Sequence, residues 1–323
     1  MNLPEGLEAR PLTLDDAAAV AVLLAAKVVA DDDGENLDAD DVAEELGRPG
    51  LALERDTISF WDGEQVVGYG LALASHSATD LDRVRTDGVV HPDWRGRGLG
   101  TELTRWIIDR ARELHEATFP EVPGYVGAGA VATNAGATEL LTGLGFEPVR
   151  YYFDMRRPLD QPVPDVQLAD GFQLIPFDAA REDDLRETHF EVFSEHWGWS
   201  RPTPEAWRAR TIGSRAFRAA QSYMVIADGK IAAYVNCYEY PADTAATGIR
   251  ELYIGQVGTR RPYRGRGLAR AALAKVLAEA ARSGYGRGAL GVDAENPTGA
   301  LGLYEKLGFS THQKYVNYQL ALA

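Results

Sequence analysis

The run Arg95-Gly96-Arg97-Gly98-Leu99-Gly100 returns later in the chain as Arg264-Gly265-Arg266-Gly267-Leu268-Ala269, and its surroundings return with it. At an offset of roughly 165 residues, Gly6-Leu7-Glu8-Ala9-Arg10-Pro11 falls on Gly171-Phe172-Gln173-Leu174-Ile175-Pro176. Asp62-Gly63 meets Asp228-Gly229, both hairpin-turn signals, and Leu144-Gly145-Phe146 meets Leu307-Gly308-Phe309. The order of features is kept throughout, so a whole domain is duplicated. A chain of 323 residues has room for two such cores. Between the copies, the polar run from Arg156 to Pro164 carries Pro158, Pro162 and Pro164, the composition of an extended, semi-rigid spacer. The expected organisation is a first domain over 1–157, a proline-rich linker over 158–170 and a second domain over 171–323.

Each copy reads as strand, helix, a variable helical region, a hairpin of strands, a central helix, then strand, helix and strand. After Gly98, the residues Leu99, Leu103, Trp106, Ile107 and Leu114 recur at helical spacing; after Gly267, Leu268, Ala271, Ala272, Val276 and Leu277 do the same. Helices interleaved with strands imply an α/β fold whose mixed sheet is flanked by helices on both faces. The apolar run Ala17 to Ala30 is too short to span a bilayer, contains Lys27, and follows Asp15-Asp16 where a signal peptide needs positive charge. It reads as the first amphipathic helix of a folded domain.

A formal net charge of −15 argues against a nucleic-acid partner, whose binding would rest on a basic face. The single Cys237 excludes an intrachain disulfide and fits a reducing cytoplasm. It lies in the strand-like stretch Tyr234-Val235-Asn236-Cys237-Tyr238 and reads as a buried structural thiol. No His/Cys cluster has metal-ligand spacing, so no metal is expected. No membrane partner is expected either, and the oligomeric state is not legible.

The chemistry sits where a strand runs into Arg-Gly-Arg-Gly-Leu-(Gly/Ala) and then a helix. Glycines let the backbone approach a ligand closely and turn several amide N–H groups the same way. Those donors, with the positive end of the helix dipole, form an anion site suited to a pyrophosphate. An ordinary glycine-rich turn is the bland alternative for one copy; two copies in matching contexts disfavour it.

The pattern (Arg/Gln)-x-x-Gly-x-(Gly/Ala), present as Arg95, Gly98, Gly100 and as Arg264, Gly267, Ala269, resembles the acetyl-CoA signature of the GNAT superfamily of N-acyltransferases. A second element that resembles the family is Asn296, Ala300, Leu303-Tyr304 and Gly308-Phe309, its asparagine one residue further from the alanine than is usual. The resemblance covers nearly the whole chain and implies two tandem domains of this type, each with a mixed, mostly antiparallel sheet. It implies that the backbone from Arg264 through Gly265, Arg266, Gly267 and Leu268 to Ala269 holds the pyrophosphate of acetyl-CoA, with Asn296 nearby. The strand Glu251 to Thr259, including Val257, Gly258 and Thr259, would run beside the pantetheine arm. Arg95, Gly96, Arg97, Gly98, Leu99 and Gly100 would be the counterpart in the first copy.

In such enzymes a tyrosine near the sulfur often protonates the departing thiolate. Tyr304 occupies that position on the helix opened by Asn296-Pro297, against its alternative as a packing residue. The first copy has Leu141 there, and leucine donates no proton. The N-terminal copy is therefore expected to be non-catalytic and the C-terminal copy catalytic, a division that resembles tandem members of the superfamily. The attacking amine must lose a proton, so a general base is expected directly or through water. Glu251, on the strand face of Tyr253, Val257 and Thr259 by period-two counting, is the leading residue, although family bases usually sit where this chain has Tyr253. Glu239 and His196 are alternatives. The stretch His196-Trp197-Gly198-Trp199, with Pro202, Pro204 and Trp207, either lines an acceptor pocket or packs a core.

The implied function is transfer of acetyl from acetyl-CoA to the primary amine of a small molecule. The rivals are a non-catalytic CoA-binding sensor or scaffold, another acyl-CoA, or a hydroxyl acceptor.

Overall fold

The computed structural model describes residues 1–296 and 299–322. It divides into two compact units: Met1–Tyr151 with Gln313–Ala323, and Tyr152–His312. The first contains β1 (Glu8–Arg10), α1 (Ala17–Asp31), α2 (Ala39–Leu46), α3 (Leu53–Asp56), β2 (Thr57–Asp62), β3 (Gln65–Leu73), β4 (Asp82–Val90), α4 (Leu99–Thr118), β5 (Gly124–Val131), α5 (Ala135–Gly143) and the start of β6 (Glu147–Pro158). The second continues with β7 (Gln173–Pro176), α6 (Glu182–Phe193), α7 (Pro204–Arg210), β8 (Tyr223–Ala227), β9 (Lys230–Tyr238), α8 (Pro241–Thr247), β10 (Glu251–Thr259), α9 (Leu268–Arg282), β11 (Arg287–Asp293), α10 (Ala300–Lys306) and the start of β12 (Ser310–Leu322).

The division differs from the one expected at the proline run, because the closing strands are exchanged. Residues Tyr152–Pro158 of β6 pair antiparallel with β11, so they belong to the second unit. In return, Tyr315–Leu322 of β12 pair antiparallel with β5 and complete the first. The proline run is no free spacer. Arg157, almost wholly buried, donates through Nε to Leu307 O at 2.6 Å and through its other nitrogens to Pro158 O and Pro162 O at 2.9 Å. Leu159, Val163, Val166 and Leu168 then pack on the second unit's core. Apolar spacing within 158–170, not visible as periodicity in the sequence, holds this segment down.

The two sheets repeat one plan. In the first unit β2, β3 and β4 are antiparallel neighbours, and β4 meets β5 in parallel through only Asp82, Arg83 and Val84. In the second, β8, β9 and β10 are antiparallel and β10 meets β11 in parallel through only Glu251, Leu252 and Tyr253. Beyond those three pairs each parallel ladder ends while both strands continue, so the strands splay into a cleft. The amphipathic helices cover the faces as expected: α1 buries Ala17, Val20, Leu23 and Leu24, and α9 buries eight residues including Leu268, Val276 and Leu277. Asp228 and Gly229, both at positive φ, form the two-residue turn of β8–β9; in the first copy the loop is Gly63-Glu64, one residue later than the sequence suggests. Cys237 is fully buried, as expected of a structural thiol.

Candidate active site

Each glycine motif forms the same turn. Gly265 and Gly267 have φ of 74° and 73°, and Gly96 and Gly98 of 74° and 85°. Only glycine takes this backbone without strain. A Cβ at any of the four would meet nothing within 4 Å, so the space over the loop is open. Gly267 and Gly98 are the N-cap residues of α9 and α4, and neither helix has a side-chain cap. The first-turn amides are therefore presented to that space, where an anion such as a pyrophosphate fits.

The other motif residues divide their work. Leu268 and Leu99 are buried and anchor the helix starts. Arg264 donates from Nε to Thr259 O at 3.1 Å and pairs with Glu195 at 2.8 Å. Arg95 does the same with Val90 O at 3.4 Å and Asp31 at 2.7 Å. Both lead arginines thus fasten the loop to the strand end and to an acidic residue at or just past the end of a helix, Asp31 closing α1 and Glu195 following α6. Arg266 and Arg97 are exposed, over the rings of Phe172 and Tyr263 and of Trp94. Ala269 and Gly100 occupy the first helical turn, where a Cβ at Gly100 would stand 3.0 Å from Leu140.

Val257, Gly258 and Thr259 lie on the part of β10 beyond the parallel ladder; Val257 packs on the core, and a Cβ at the buried Gly258 would stand 2.4 Å from the Tyr234 ring. Asn134 caps α5 by accepting from Ala137 N at 3.0 Å. Asn296 stands in the corresponding turn before α10, donating its N–H to Asp293 O; Pro297 lies outside the described residues. Tyr304 and Leu141 are equivalent in three dimensions: each carbonyl accepts from the phenylalanine of its Gly-Phe pair, at 3.1 Å and 3.0 Å. Tyr304 is buried against Phe309, and burial pushes its hydroxyl up to about 12, so it is protonated near neutrality.

Glu251 faces Arg287 in the first pair of the parallel ladder, two pairs before the strands part, and is bound to its Nε in a largely buried ion pair. Asp154, supplied by the exchanged strand β6, carries charge near Glu251; burial raises its carboxyl, and Arg156 pairs with it at 3.1 Å. Of the alternative bases, Glu239 is committed elsewhere. Burial opposes its charge, but hydrogen bonds from Arg250, Tyr285 and Arg218 bring it down to about 2. His196 stacks on Phe193 at 4.4 Å, and burial pushes its imidazole down against the pull of Asp293. Trp207 is buried in the core beside α6, and the partly buried Trp199 packs on Phe190 at its edge.

Sequence reasoning missed the feature that most distinguishes the copies. The β9–β10 ladder slips between Ile254 and Gln256, leaving Gly255 as an extra, bulged residue, whereas the β3–β4 ladder runs from Gly68–Val90 to Leu73–Arg85 without a shift. Around the bulge sits a polar network. The Tyr238 hydroxyl and Asn236 Nδ2 both donate to Gln256 Oε1, at 2.6 and 3.2 Å. The ring of Tyr238 lies so close beneath Gly255 that a Cβ there would stand 2.5 Å from it. The ladders place Gln256 with Asp87 and Ile254 with Thr86, so Gly255 is an extra residue with no counterpart in the first copy.

A splayed parallel pair ending at an open glycine loop on a helix N-terminus, found twice, defines a tandem acyltransferase architecture. The acetyltransferase (GNAT) family model matches residues 31–146 and again 182–309. A mycothiol acetyltransferase of Salinispora arenicola is 29% identical over 95% of this chain and 94% of its own length, and one of Tsukamurella paurometabola is 31% identical over 72% and 76%. Among solved structures, a GCN5-related N-acetyltransferase from Sphaerobacter thermophilus superposes with a TM-score of 0.77 at 29% identity, covering 99% of this chain and 97% of its own. A tandem GNAT protein of clavulanic acid biosynthesis shares the fold at TM-score 0.71 and 19% identity, covering 98% and 99%. The chain belongs to the GNAT family and is an acetyl-CoA-dependent N-acetyltransferase built from two such domains. That excludes the sensor reading. Among the described residues no helix is long and apolar enough to cross a membrane, and no His/Cys/Asp/Glu group could hold a metal.

Proposed function

We propose that the second unit moves the acetyl group to the primary amine of a small molecule by direct attack on the thioester, with no acetylated enzyme along the way. The observation that supports this is the contrast between copies on one frame: the second has the bulge at Gly255 and Tyr304, the first an unbroken ladder and Leu141. In this reading the amides of the Arg264–Ala269 loop bind the pyrophosphate and β10 flanks the arm from Thr259 towards Gly255. Tyr304 gives its proton to the leaving thiolate and is a neutral donor at working pH. Glu251 receives the proton lost by the amine, which requires the carboxylate to exchange Arg287 for the acceptor. The first unit keeps the loop and serves a binding or structural role. The relatives named mycothiol acetyltransferases make their acetyl acceptor the first compound to try.

The test is acetyl-CoA thiol release with that acceptor, followed by an amine panel. Tyr304→Phe should retain acetyl-CoA affinity while the rate falls about 10²–10⁴-fold, the range of general acid catalysis. Glu251→Gln should lose rate chiefly at lower pH and recover as the acceptor amine becomes neutral. Unchanged single-turnover rates in either variant would remove that residue from the mechanism.

A further inference from the structure

The Gln256 network has a direction, and the reading of the second unit as the transferring one gives that direction a use. Gln256 follows the bulge, at the height where β10 and β11 have parted and on the strand that lines the cleft. Its side chain shares the sheet face of Asn236, its ladder partner on β9, and of Tyr238 two residues on. Both neighbours are almost wholly buried, and both donate to the same oxygen, Oε1. An amide is planar, with its nitrogen at the corner away from its oxygen. Holding Oε1 towards β9 therefore turns the Nε2 hydrogen anti to that oxygen away from β9, and Gln256 itself is only partly buried. Two donors on the oxygen also polarise the amide and strengthen its N–H groups as donors.

The first copy has no part of this arrangement. Asp87, opposite Leu71, stands where Gln256 stands opposite Asn236, and Leu73 lies at the place of Tyr238. Asp87 accepts a hydrogen bond from Tyr69 and, as a carboxylate, donates none. A carboxylate beside an acyl oxygen that gathers negative charge would oppose the reaction; a fixed amide N–H would favour it.

We infer that Gln256 is a catalytic residue whose clamped Nε2–H donates a hydrogen bond to the acyl oxygen of the bound thioester as charge builds on it, with Tyr238 and Asn236 as its positioning residues. The donor stays neutral and forms no covalent bond. The inference rests on acetyl-CoA occupying the second unit, and its test separates the two claims.

Acetyl-CoA carrying a ¹³C-labelled acetyl carbonyl serves as the probe, in difference infrared spectroscopy on the whole protein, with calorimetry alongside. Gln256→Glu keeps an oxygen for Tyr238 and Asn236 but removes the N–H donor; Gln256→Met removes both without adding charge. Wild type should bind the probe with its carbonyl band below the free value, and both variants should bind it with the band returned towards that value. Tyr238→Phe should give an intermediate band. Turnover in the two Gln256 variants should fall about 10²–10³-fold, the cost of losing one such donor. An unshifted carbonyl in wild type, or a shift that persists in Gln256→Glu and Gln256→Met, overturns the role of Gln256 while leaving acetyl-CoA binding intact. Failure of the Gly98→Val variant, whose second copy is unaltered, to bind the probe overturns the placement of acetyl-CoA in the second unit, and this inference with it.

Discussion

His189 gives the second unit a stability that depends on pH in a calculable way. It lies on α6 with Nδ1 2.8 Å from the fully buried Tyr234 hydroxyl, stacked on Phe193 at 4.3 Å and 6.1 Å from the Trp207 ring. Burial, then the neighbouring His196 and Arg210, push its imidazole from an ordinary 6.5 down to about 4. The folded state thus holds it neutral where the unfolded chain would protonate it. Below pH 6.5 the unfolded state binds the extra proton, so stability falls as pH falls, until the folded imidazole also titrates near 4. At about 1.4 kcal/mol per pH unit, the full loss is about 3 kcal/mol between pH 6.5 and 4. Asp16 and Glu239, each brought down to about 2 by hydrogen bonds to arginine, lose their stabilising charge only at lower pH. His196, also pushed down by burial, acts in the same direction, so the comparison must be with a variant. Native-state hydrogen exchange of the β9 amides, corrected for intrinsic rates, reads the opening free energy at each pH. The slope between pH 6.5 and 4.5 should be shallower in His189→Phe by up to one proton. Equal slopes in the two proteins would refute the buried neutral histidine.

The glycines offer two further tests. Gly267→Val places a branched side chain at φ 73°, at a strain of about 1–3 kcal/mol, and fills the open space over the loop; it should abolish turnover while Gly98→Val spares most of it, and the reverse pattern in thiol-release assays would invalidate the assignment of catalysis to the second copy. Gly255→Ala drives a Cβ into the Tyr238 ring and should cost more in urea unfolding when Tyr238 is present than in a Tyr238→Ala background, by about 1–3 kcal/mol. Equal costs in the two backgrounds would mean that Tyr238 does not determine the glycine at 255.

The sequence by itself determined the duplication, the glycine turns at the two helix starts and the family. These are local properties: a glycine needed for positive φ and an amphipathic period of 3.6 leave marks within a dozen residues. It also fixed the Tyr304–Leu141 contrast, because the Leu-Gly-Phe landmarks set that register without any three-dimensional information. The exchange of closing strands was hidden, since β6 with β11 and β12 with β5 pair residues more than a hundred positions apart and each closing strand looks at home in its own copy. The ion pair of Glu251 with Arg287 was hidden for the same reason: only the parallel register brings those two side chains face to face. The bulge lay between these cases. Gly255 was visible, but that it is the residue without a partner, and that Tyr238 and Asn236 therefore converge on Gln256, is decided by how β9 and β10 slide into register. Side-chain packing across the sheet selects that register, and no single strand contains the information.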